Sequence, residues 1–114
     1  MRNARLYFQD IDEACKSILE FVGDQTWVEF ALDKKTKAAV VRQLEIIGEA
    51  SRQLPIEIRG RYPRIPWAKI IGMRNVLIHG YFGVDERAVW DTVCEDVVGL
   101  KLQIQEILER WEAS

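Results

Sequence analysis

Apolar residues recur along this chain at spacings of three and four almost from end to end, the period of an α-helix. Tyr7, Ile11, Ala14, Ile18 and Phe21 mark a first helical face, closed by Gly23 and Asp24. Thr26 opens TWVE, a capping box in which its hydroxyl takes the free amide of residue 29 while Glu29 reaches back. That short helix ends near Asp33, itself a good N-cap for the next segment. There Val40, Leu44 and Ile47 carry the stripe, widened by Val41 and Ala50, and Arg42, Glu45 and Glu49 align on another face. Residues 55–66, PIEIRGRYPRIP, hold all three prolines and read as a connection with about one helical turn. Pro66 suits the first turn of PWAKIIGMRNVLIH, which Gly80 stops. Asp85 caps a last helix whose residues Trp90, Val93, Val97, Leu100, Ile104, Ile107 and Trp111 form a 3-4-3-4-3-4 seam. Such a seam packs along partner helices at a shallow angle. No stretch alternates with period two, so residues 1–114 are expected to form one all-α domain. Its architecture should be an up-and-down bundle of four main helices plus short ones.

The stretch RNVLIHGYF breaks this regularity with polar residues inside a core-like run. On a helix at 100° per residue, Trp67, Ile70, Ile71, Leu77 and Ile78 fall within about 60° of Arg74. The arginine is thus centred on the apolar stripe. Ala68, Gly72, Asn75 and His79 form a second stripe, small in its first half and polar in its second, which would let another backbone approach. A helix apolar nearly all round is buried, in its own core or against a second subunit.

Net charge is −2, but its distribution is uneven. Between residues 52 and 81 six basic side chains, Arg52, Arg59, Arg61, Arg64, Lys69 and Arg74, face one acid, Glu57; the remainder holds 10 basic and 17 acidic residues. A basic strip on an acidic body suits a phosphate-bearing partner, with Arg59, Arg61, Arg64 and Lys69 as candidate RNA contacts. A solvated, arginine-rich loop is the alternative. Cys15 and Cys94 stand apart as reduced thiols of a cytoplasmic protein, and with one histidine no metal site is expected. The charged N-terminus and the absence of a long apolar run argue against a signal peptide or a membrane span. No sequence feature calls for a cofactor.

His79 is the only histidine and the one side chain able to exchange a proton near neutral pH. Arg74 can hold a phosphate or stabilise charge added to it. Such a pair could cleave RNA by activating a ribose 2′-hydroxyl while the guanidinium steadies the phosphorane. Equally, Arg74 could pair with Glu45 or Glu49 and His79 with a carbonyl, both for structure alone. Five residues on a helix turn through 500°, so Arg74 and His79 diverge by about 140°. They meet at one phosphate only if the helix unwinds before Gly80 or if two protomers contribute across a two-fold axis.

Arg74-x-x-x-x-His79-x-Tyr81, with RQLEIIGEASRQL, YPRIPWAKIIGMRNVLIHGYFGVD and VWDTV in this order, resembles the HepT-like family of HEPN-domain proteins over nearly the whole chain. The resemblance implies a small all-α toxin with ribonuclease activity, paired with an MNT-type nucleotidyltransferase antitoxin. It implies Arg74 and His79 as the catalytic pair at a homodimer interface, and Tyr81 as the residue adenylylated by the antitoxin. Asn75 and Glu49 take supporting roles, and Arg42 none in catalysis. The competing reading is a non-enzymatic helical partner or substrate of a nucleotidyltransferase.

Overall fold

The computed structural model describes residues 2–79 and 85–113, with the side chains of Val76, Ile78, His79, Glu112 and Ala113 excepted. The described chain is helical, without a strand. Helix α1 spans Ala4–Val22, α2 Trp27–Leu32, α3 Lys34–Gln53, α4 Ile56–Gly60 and α5 Trp67–His79. A final rod consists of α6, Glu86–Thr92, a π-helical turn, Val93–Val97, and α7, Val98–Ala113. The four long elements are α1, α3, α5 and this rod. Helix α3 lies between α1 and α5, and α1 packs on its other side against α7.

The helix starts follow from local hydrogen bonding. Asn3 caps α1 by accepting from the Arg5 amide, and α1 ends at Gly23 in the left-handed region, φ +55°. The Thr26 hydroxyl accepts from the Glu29 amide at 3.3 Å, and Glu29 accepts from the Thr26 amide at 3.0 Å. Asp33 accepts from the Thr36 amide and hydroxyl, and from Gln25, at 2.7–3.0 Å. These donors, led by the Thr36 amide, hold its carboxyl down at about 2. Asp85 caps α6 through the Ala88 amide. Pro66 sits one place before α5 and not within its first turn, and its carbonyl accepts from the Ile70 amide.

The core differs from the periodic reading in two places. On α1 Ile11, Ala14 and Ile18 are buried as expected, joined by Phe8, Cys15 and Val22, while Tyr7 is half-buried and Phe21 exposed. The shift by one residue brings the Phe8 ring against Tyr62, Trp67 and Trp111, an aromatic cluster that ties α1 to α5 and α7. On the last rod Val89 is buried and Trp90 only half-buried. Val89, Val93 and Val97 step by four, which in a regular α-helix drifts by about 80° over two steps. The wider π turn absorbs that drift and keeps all three valines in the core. Trp90 instead packs on Phe30 and Trp27, with Arg87 over the Trp27 ring. Among the described residues no helix is long and apolar enough to cross a membrane.

Candidate active site

Arg74 comes from the face of α5 that packs on α3, as the apolar stripe implies. Directly opposite lies Gly48, where a Cβ would overlap Arg74 Cβ and stand 2.8 Å from Cγ. The missing side chain lets the arginine stem cross the helix interface and carry its charged end to the edge of the α1–α3–α5 packing. There the guanidinium meets Glu49, Nη2 to Oε2 at 2.9 Å, and donates from Nη1 to Asn75 Oδ1 at 3.2 Å. Its Nε is buried with no hydrogen-bond partner. Of the two acids on that face of α3, it is therefore Glu49 that pairs with Arg74; Glu45 lies near Arg42 at 3.6 Å.

Glu49 is itself heavily held. Arg52 donates to both its oxygens at 2.9 and 3.3 Å, and Gln53 to Oε1 at 3.0 Å. The Arg52 hydrogen bond foremost, then Gln53, with the charges of Arg52 and Arg74 adding, takes its carboxyl down to about 2. Glu49 is thus an anion at any physiological pH. It can orient a guanidinium but cannot exchange protons near neutrality.

Arg74 lines a cleft of about 230 Å³ that also includes Tyr7, Asp10, Glu45, Glu49 and Gln53. Arg2 stands over the Tyr7 ring at 4.8 Å and pairs with Asp10 at 2.7 Å, closing the α1 side. The sequence pattern does not single out Tyr7, Asp10 or Gly48 as part of a site. They reach it only through the packing of α1 on α3, which no local spacing reveals. Acids and bases alternate around the cleft, so an entering phosphate would be drawn by Arg74 itself and not by a broad positive field.

Helix α5 continues through His79. The backbone at Arg74 and His79 therefore diverges by about 140° and about 7.5 Å along the axis, so unwinding before Gly80 does not bring them together. The His79 side chain, Tyr81 and the stop at Gly80 lie outside the described residues. Asn75, Ala68 and Gly72 are exposed, and a Cβ at Gly72 would meet nothing within 4 Å. These three positions of the stripe expected to admit another backbone are uncovered by the chain's own described helices.

The remaining basic residues of the strip are dispersed. The Arg59 side chain donates to the Leu54 carbonyl at 3.1 Å. Lys69 pairs with Asp96 at 2.8 Å, on the rim of an apolar cleft between α5 and the last rod. Arg61 and Arg64 line a separate groove. Among the described residues no group of three His, Cys, Asp or Glu is arranged to hold a metal ion.

Comparison with known proteins gives this geometry a family. Residues 11–107 match the family described as ribonuclease HepT-like. A protein of Thermococcus cleftensis named a probable ribonuclease HepT is 45% identical over 106 residues, covering 93% of this chain and 96% of that protein. A candidate RNase of Methanocaldococcus jannaschii is 41% identical over 108 residues, 95% of this chain and 89% of its own length. One from Caldanaerobacter subterraneus is 40% identical over 110 residues, 96% and 98% of the two chains. No solved structure matches. With the match running through every main helix, this chain belongs to the HepT-like ribonuclease family.

Proposed function

We propose that this protein is a metal-independent endoribonuclease whose catalytic pair is Arg74 and His79, completed between two protomers. The observation that carries the reading is the near full-length match to a ribonuclease family, joined to an arginine held at a cleft by an acid that stays ionised. In the proposed reaction the His79 imidazole takes the proton of a ribose 2′-hydroxyl. The 2′-oxygen attacks the adjacent phosphorus, and Arg74 neutralises the charge on the phosphorane. Return of the proton to the departing 5′-oxygen leaves a 2′,3′-cyclic phosphate and a 5′-hydroxyl end. Glu49 and Asn75 position the guanidinium. The divergence of the two residues along an unbroken α5, together with the exposed Ala68 and Gly72, supports a dimeric site.

The family resemblance supports a toxin neutralised by a nucleotidyltransferase antitoxin that adenylylates Tyr81. AMP there adds bulk and negative charge two residues from His79, where an RNA phosphate would have to bind. A second reading, a non-enzymatic partner or substrate of the transferase, is favoured by the fact that Arg74 already has an ion-pair partner within its own chain.

The test is cleavage of cellular RNA by purified protein, alone and after treatment with the transferase and ATP, with a His79→Ala variant alongside. The ribonuclease reading expects cyclic-phosphate ends from the untreated protein, none from His79→Ala of the same fold and oligomeric state, and loss of cleavage on modification. Equal cleavage by His79→Ala would sink the catalytic assignment. Protein that accepts AMP on Tyr81 yet never cuts RNA would establish the second reading.

A further inference from the structure

A groove of about 320 Å³ runs between the turn at residues 61–65 and α7, and it shares no lining residue with the Arg74 cleft. Arg61, Tyr62 and Arg64 form one wall, and Gln103, Glu106 and Arg110 contribute the other. Arg61 and Arg64 are exposed, and neither makes an ion pair with any described residue. The groove's one acid, Glu106, is taken by Arg110 at 2.8 Å. Three guanidiniums against one carboxylate make a positive concavity on a chain whose net charge is −2, the arrangement that concentrates an anion locally.

The groove is also fixed from beneath. The Trp67 indole donates to the Arg59 and Tyr62 carbonyls at 3.0 and 3.2 Å, and Ile65 is buried. The half-buried Tyr62 ring meets Phe8 edge-on at 5.7 Å. Arg61 and Arg64 are therefore carried by an anchored turn, with an aromatic ring between them that can contact a base or ribose. Planar guanidiniums suit phosphate oxygens. The turn leads directly into α5, and the eight steps from Pro66 to Arg74 rise about 12 Å. A strand cut near Arg74 thus passes within reach of the groove.

We propose that this groove, with Arg110 as a member from the far end of the chain, holds phosphates of the RNA strand at a distance from the cut. The proposal rests on the ribonuclease reading for its ligand. The groove contributes to substrate affinity and leaves the chemical step alone.

The test uses the full chain and an oligoribonucleotide with 2′-O-methyl riboses, which cannot be cut, so binding is read independently of cleavage. In Arg61→Gln/Arg64→Gln/Arg110→Gln, affinity should fall at least tenfold at low salt. The slope of log affinity against log salt should become shallower by about 2, since each phosphate neutralised on a single strand contributes about 0.7. Lys34→Gln/Lys35→Gln/Arg87→Gln removes the same charge elsewhere and should change both far less. With cleavable RNA, KM should rise and kcat stay unchanged. Affinity and slope like wild type, or a loss no larger than in the control, would overturn the groove, and would leave an acidic protein as its better occupant. Cleavage with an unaltered KM would overturn it while the ribonuclease reading stands. RNA bound through these arginines but never cut would uphold the groove and remove that reading.

Discussion

Gly48 and Arg74 occupy one another's space: the bare Cα of one helix receives the stem of the other's only arginine. Ala at position 48 gains about 1 kcal/mol of helix propensity over Gly, but its methyl has nowhere to go. Overpacking of this kind costs roughly 1–3 kcal/mol. Gly48→Ala should therefore lower stability in a urea melt. Trimming Arg74 to Ala should not rescue it, because the overlap is with Cβ. Rescue by that second change would show that the two helices slide apart at little cost.

Glu49→Gln retains the side chain's size but removes the charge opposite Arg74. Cleavage should fall at least tenfold while the circular dichroism spectrum is unchanged. Arg52→Gln, which removes the leading cause of Glu49's low pKa, should cost less, since Arg74 keeps its anion. An unchanged rate in Glu49→Gln would leave that ion pair without a part in the reaction.

The same acid makes a prediction in pH. The folded protein holds Glu49 at about 2, below its ordinary 4.5. A depressed carboxyl stabilises the fold fully above the unfolded value and loses that contribution as pH falls through the folded one. Wild type should exceed Glu49→Gln in stability by a constant margin above pH 4.5. The margin should shrink between 4.5 and about 2, and a margin that grows on acidification would refute the linkage.

Helix capping offers a check on the first half of the chain. Thr26→Ala opens the reciprocal bonds with Glu29, and loss of an N-cap costs about 1 kcal/mol. Asp33→Ala removes three hydrogen bonds at one site and should lower the melting temperature further than Thr26→Ala. The reverse order would contradict the Asp33 geometry.

The two thiols should separate cleanly by labelling. Cys15 is wholly buried and burial first, then Asp12, pushes its thiol up to about 12. Cys94 is exposed and raised by partial burial and by Asp91 and Glu95. A disulfide reagent should modify one thiol in the folded protein, slowly, and two after denaturation. Two equivalents in the native state would mean that α1 opens far more readily than its packing suggests.

What could be read from the chain itself was what depends on near neighbours. The caps at Thr26, Asp33 and Asp85 are written in three- or four-residue words, and each forms as those words imply. The stripe on α5 correctly aims Arg74 inward, and pairing with Glu49 was one of two geometries the α3 pattern allowed. Less was legible where helices cross. Gly48 looks like any helical glycine until the α5 backbone lies over it. Tyr7 and Asp10 join the cleft from a helix far from Arg74 in sequence. The basic strip reads as one surface, yet Arg59 and Lys69 are engaged by Leu54 and Asp96 while Arg61 and Arg64 make no ion pair with any described residue. Charge runs report composition, and only packing decides which members share a groove.

The π turn at Val93–Val97 makes the final rod a helix with one residue to spare. Remove a single residue there and the hydrogen-bond ladder can close again as plain α-helix, with α7 undisturbed. Phase survives: with one residue fewer, Val89 to Val97 spans seven steps of about 100°, which falls only about 20° short of two full turns. Trp90 would stay against Phe30, and Asp85 would cap α6 from the same side of the bundle. The rod can therefore lose a residue between Val93 and Val97 but not within α6, where the same deletion would turn Asp85 by about 100°.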